Sequence, residues 1–85
     1  MYGINLVTVA NVLVVAVAGN ALFSKNGAVN SIYQEIIKYS VQQDIEMVKV
    51  LMRSLAQQNQ QAYKDVVEIL QENFSEQDLQ DILPS

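Results

Sequence analysis

At 85 residues, 51% of them hydrophobic, with no cysteine and no histidine, the chain is at most one domain. Those absences remove disulfides, thiolate catalysis, zinc–thiolate sites and the commonest general base. The formal charge of −4 is unevenly placed: zero over 1–24, +1 over 25–53 and −5 over 54–85. Such a balance, without a basic cluster, argues against nucleic acid as a partner.

The first organising stretch is Ile4 to Phe23, INLVTVANVLVVAVAGNALF, which carries no charged side chain; the first is Lys25. A membrane-crossing helix needs about 20 mostly apolar residues, and the run meets that length without spare. On this reading Asn5 and Asn20 sit near the interfaces and Asn11 faces protein rather than lipid. Ala10, Ala16, Ala18, Gly19 and Ala21 are small enough to admit a neighbouring backbone. The competing reading is a buried segment of two strands, roughly Ile4 to Val9 and Val12 to Ala18, because Val-rich apolar runs suit buried sheet. Against it, Ala10-Asn11 is a poor hairpin turn. A cleaved leader ending near Ala16-Val17-Ala18 is a third reading, opposed by the lack of Lys or Arg among the first residues.

Val14-Val15-Ala16-Val17-Ala18-Gly19-Asn20-Ala21-Leu22 resembles the opening strand and phosphate loop of carbamate-kinase-type amino-acid kinases. The first glycine of that loop is replaced here by Ala18, the likeness covers this one segment, and the rest of that large α/β fold has no counterpart in the chain. It is a coincidence of small apolar residues and implies no phosphate chemistry.

Ser24-Lys25-Asn26-Gly27 is the strongest break, since Asn and Gly both tolerate turn conformations. It divides an apolar anchor, 1–24, from a helical acidic body, 25–85. A helix is expected to start near Ala28 to Asn30, capped by Asn30 or Ser31. Apolar residues then recur at Tyr33, Ile37, Val41, Ile45, Val48, Met52 and Leu55 in steps of 4, 4, 4, 3, 4 and 3, the stripe of an amphipathic helix. The stripe serves bundle packing or, alternatively, a partner-binding face.

Gln57-Gln58-Asn59-Gln60-Gln61 predicts a bend near Asn59, because one helix over 28–73 would leave its stripe without an intramolecular partner. The next helix spans about Gln61 to Asn73. Glu68 and Glu72 lie on it as surface neighbours, half of a metal site at most. Ser75 and Asp78 mark the N-terminus of a short last helix with Leu79, Ile82 and Leu83 on its apolar face, ended by Pro84.

The expected fold is therefore all-α: an apolar N-terminal helix, membrane-crossing on the leading reading, followed by a small helical hairpin or bundle. The alternative is α+β with two buried N-terminal strands. The expected function is that of a non-enzymatic small subunit of a larger assembly, such as a membrane complex, a filament or a membrane-containing virion, with its body on the cytoplasmic side. The alternative is a soluble homo-oligomeric adaptor or regulator with the N-terminal segment buried in the oligomer core. No cofactor, metal or catalytic set is expected. The residues expected to meet a protein partner are Asn11, Ile37, Val41, Ile45, Val48, Met52 and Leu55. Deleting residues 1–26 is expected to release a soluble, helical acidic fragment.

Overall fold

In the computed structural model of the chain, residues 5–84 are described. Among them every regular element is a helix: α1 Leu6–Ala18, α2 Gly27–Val41, α3 Ile45–Gln58, α4 Gln60–Asn73 and a short α5 Glu76–Leu79. Each of the first four packs on the next, and α1 closes the ring against α4. The Cα radius of gyration is 11.5 Å, close to the ~12 Å of a compact chain of this length.

The apolar N-terminal run is a helix, and the two-strand alternative is not what forms. Asn5 starts it, its side-chain oxygen accepting from the Val7 amide at 2.9 Å. A helix satisfies its own backbone groups, whereas two strands here would have needed a partner for each edge. Its end is equally local. Asn20 takes a left-handed conformation (φ 63°), the Ala21 amide donates to the Ala16 carbonyl at 2.8 Å, and the Asn20 amide donates to that of Val17 at 3.1 Å. This is a Schellman closure with Asn at the position that usually takes glycine. Asn20, expected at a membrane interface, is instead a stop signal.

The closure has a direct consequence for the membrane reading. α1 has 13 residues, about 20 Å at ~1.5 Å per residue, against a hydrocarbon core of roughly 30 Å. Among the described residues no helix is long and apolar enough to cross a membrane; Ile4, the head of the expected span, lies outside them.

The expected break before Gly27 is present, with a different cap. Asn26 receives the Ala28 amide at 2.9 Å, and Ser24 receives that of Asn26 at 3.0 Å. Asn30, expected as a cap, instead reaches back from inside α2. Its side-chain carbonyl accepts from the Ser24 amide at 3.2 Å, and its amide group donates to the Ser24 carbonyl. The loop is thereby tied to the first turn of α2.

The long stripe from Tyr33 to Leu55 is split between two helices. Gln43 takes the left-handed conformation (φ 58°), the Asp44 amide returns to the Tyr39 carbonyl at 3.0 Å, and Asp44 then caps α3 by accepting from the Met47 amide at 3.2 Å. One residue thus ends one helix and begins the next. Asp44 with Glu46 in the following first turn is a legible start signal, hidden in the sequence by an apolar period that continued through it. A left-handed conformation costs a residue with a Cβ about 1–2 kcal/mol. Gln43→Gly is therefore expected to raise unfolding stability by about 1 kcal/mol, part of the gain being lost to the freer unfolded chain. Urea melts at matched protein concentration check it, and an unchanged or lower midpoint contradicts it.

The expected bend at Asn59 is confined to that residue, which ends α3 and caps α4 by accepting from the Ala62 amide at 3.0 Å. Ser75 caps α5 as expected, receiving the Asp78 amide at 3.2 Å. Leu79 and Ile82 beyond it are fully buried, so this end of the chain is docked. Ser75→Ala is expected to cost about 1 kcal/mol, seen as a lower thermal midpoint with unchanged helix content. Equal midpoints would mean that the cap contributes nothing.

The core gathers Leu6, Val9, Leu13 and Ala16 from α1 with Val29, Tyr33 and Ile36 from α2, Val48, Met52 and Leu55 from α3, and Val66 and Leu70 from α4. The apolar N-terminal segment and the acidic body therefore share one core. Ser40 is fully buried in the last turn of α2, and its hydroxyl has no hydrogen-bond partner.

Candidate functional site

Helix α1 is apolar nearly all the way round, and the fold uses one side of it. Leu6, Val9, Ala10, Leu13 and Ala16 are buried. On the opposite side stand Val7, Asn11, Val14, Val15 and Ala18, all exposed. At ~100° per residue, Val7, Asn11, Val14 and Ala18 fall within about 60° of one another. The exposed fractions are large for valine: 38% at Val7, 47% at Val14 and 71% at Val15. The sequence has no charged side chain before Lys25, so α1 itself contributes none to this face. A scattered apolar side chain on a surface is ordinary, whereas a continuous charge-free stripe on one helix is the kind of patch that another surface covers.

Beside the stripe, α1 and α4 leave a shallow groove. Asn11, Val12 and Val15 line one wall, and Ile69, Glu72 and Asn73 the other. Glu72 places a carboxylate at its edge. Phe23, 65% exposed, stands in the linker after α1.

The residues expected from the sequence to meet a partner divide into three groups. Asn11 is at the surface, in the middle of the α1 stripe. Ile37 is half-buried in α2, while Val41 and Ile45 are exposed at either side of the Gln42–Asp44 turn, at 57% and 37%. Val48, Met52 and Leu55 have no exposed surface; their helix packs on α2 and α4. The apolar period on α3 is occupied by the chain's own core. Val7, Val14 and Val15 are the positions that sequence reasoning did not single out. Their signal was an excess: a 13-residue helix needs one apolar face to dock, and this one has two.

Among the described residues no group of three Asp or Glu side chains is placed to hold a metal ion. Glu68 and Glu72 are both exposed on α4. Burial raises the Tyr33 phenol above its ordinary pKa of 10.0, and the negative charge of Asp65 adds to the effect; burial alone raises Tyr63. Both rings stay neutral at physiological pH and cannot serve as bases there. The gap between Leu13, Leu22, Tyr33, Ile36 and Val66 has no room for a water molecule. In comparisons with protein-family models, curated proteins and solved structures, nothing matches this chain.

Proposed function

We propose that the chain is a small, non-enzymatic helical subunit of a larger protein assembly, joined to it through the outer face of α1. The observation that carries this reading is the exposure of Val7, Val14 and Val15 on one side of a helix whose other side is core. A charge-free apolar stripe gains free energy when a matching surface covers it. The composition adds support, because a chain without His or Cys lacks the residues that most often act as base, nucleophile or soft metal ligand. The anchor in this reading is protein on protein, the 13-residue α1 being too short to cross a bilayer.

Position-specific photocrosslinking tests it. A photoreactive side chain at Val15, on the outer face, is expected to trap a polypeptide in cells producing the protein. The same group at Gln34, exposed on α2, serves as the control. Equal trapping from both positions, or none from Val15, removes the α1 face as a docking surface. Alkaline extraction of membranes on the same cells is expected to release the chain.

A further inference from the structure

We infer that the surface covering the α1 stripe is a second copy of this chain, paired about a two-fold axis that passes at Asn11. The inference rests on the docking role proposed for that face and adds the identity of the partner. Val7, Asn11, Val14 and Ala18 follow one another in steps of 4, 3 and 4, the spacing by which two helices present a common seam. Asn11 sits inside the seam with apolar residues before and after it. A carboxamide offers both a donor and an acceptor, so an identical carboxamide across a two-fold axis satisfies it in both directions. A single Asn at such a seam position selects register and a defined number of helices, at a cost in affinity. A partner presenting only apolar side chains would leave the Asn11 amide unpaired.

Charge limits which face such a pair can use. The chain carries a net −4, of which −5 lies in 54–85 and none in 1–24. Like-charged copies repel in most orientations, and the α1 face is where two of them meet with the fewest charges opposed. Glu72 is the one acid among the residues lining the groove, so added salt strengthens the pair rather than weakening it.

The size of the patch sets the affinity class. The stripe is one face of a 13-residue helix, a smaller patch than the ~800 Å² per partner of a standard interface. Pairing is therefore reversible and concentration-dependent, in the micromolar range or weaker.

The absence of any native cysteine makes a symmetric test possible on the full chain. Asn11→Cys places two thiols across the proposed axis, within the ~4.4–6.8 Å Cα separation that a disulfide spans. Mild oxidation is expected to give a species of twice the 9.5 kDa chain mass from Asn11→Cys, and far less from Gln34→Cys. Sedimentation of the unmodified chain from about 10 µM to about 1 mM, a range that brackets so small an interface, is expected to show monomer passing to dimer. Val15→Glu and Asn11→Asp, both at exposed positions, are expected to weaken the dimer at least tenfold while keeping the far-ultraviolet spectrum and melting behaviour. A chain monomeric throughout that range overturns the pairing, and so does a dimer unaffected by both substitutions. If Val15 photocrosslinks reach a different polypeptide while the chain stays monomeric, the docking role stands and self-pairing falls. A monomer that instead binds vesicles of mixed neutral and anionic lipid assigns the face to a lipid surface and overturns both.

Discussion

A chain lacking residues 1–26 is expected to lose cooperative folding, melting without a sharp transition and retaining only part of its helix. α1 supplies Leu6, Val9, Leu13 and Ala16 to the common core. Burying a leucine or valine contributes about 1.5–3 kcal/mol, so the three larger side chains together represent on the order of 6 kcal/mol. That is comparable to the whole net stability of a domain of this length, about 4–13 kcal/mol at ~0.05–0.15 kcal/mol per residue. The truncation also exposes Val29, Tyr33, Ile36 and Val66, which are buried in the intact fold. The sequence alone suggested a soluble, predominantly helical acidic fragment released from its anchor. Far-ultraviolet circular dichroism with a thermal or urea melt decides between them: a sharp transition near that of the full chain would show that the body folds without α1. The physical reason for expecting a loss of folding is that α2 and α4 both pack against α1.

Met52→Ala and Leu55→Ala are each expected to destabilise the isolated chain by about 3 kcal/mol, within the ~2–5 kcal/mol range for truncating a buried Leu or Met. Both side chains are completely shielded from solvent. Each residue removed leaves a cavity among α2, α3 and α4 that the surrounding helices refill only in part. In a domain of this size the loss corresponds to a fall in melting temperature of about 12–24 °C, at ~4–8 °C per kcal/mol. Urea titration checks the expectation through a lower midpoint with an unchanged slope. Were the α3 stripe a partner-binding surface, the same substitutions would weaken association and leave the monomer's stability nearly intact. The pair of measurements, stability for Met52 and Leu55 and association for Asn11 and Val15, therefore separates the inner apolar face of the molecule from its outer one.

Much of the local structure was written in single residues. Ser75 capping α5, the turn at Ser24 to Gly27 and the bend at Asn59 are short-range events, in which a side-chain oxygen meets a backbone amide a few positions along. Such contacts need no tertiary partner, so reading the chain in order finds them. Two further local stops, the backbone closures at Asn20 and at Gln43-Asp44, were present but masked. At Asn20 the apolar composition continued to Phe23, and at Gln43 the apolar period continued through to Leu55. In both places the backbone closure outweighed the hydrophobic pattern, because carbonyls at a helix end must find donors whatever the side chains prefer.

What the chain determined by itself was the helical character of 25–85, the charge-free run before Lys25 and the lack of His and Cys. Which apolar residues would be hidden was decided only when the helices packed. Periodicity assigns a residue to a face of its own helix and says nothing of what that face meets. The seven-position stripe from Tyr33 to Leu55 was long enough to suggest a partner surface, yet the turn at Gln43 folds its two halves together. α1, apolar nearly all round, gave little to choose a face by. Packing against α2 and α4 buried Val9 and Leu13 and left Val14 and Val15 outside. A bundle can cover a helix only from the sides where its neighbours lie, and that geometry alone produced the exposed stripe centred on Asn11.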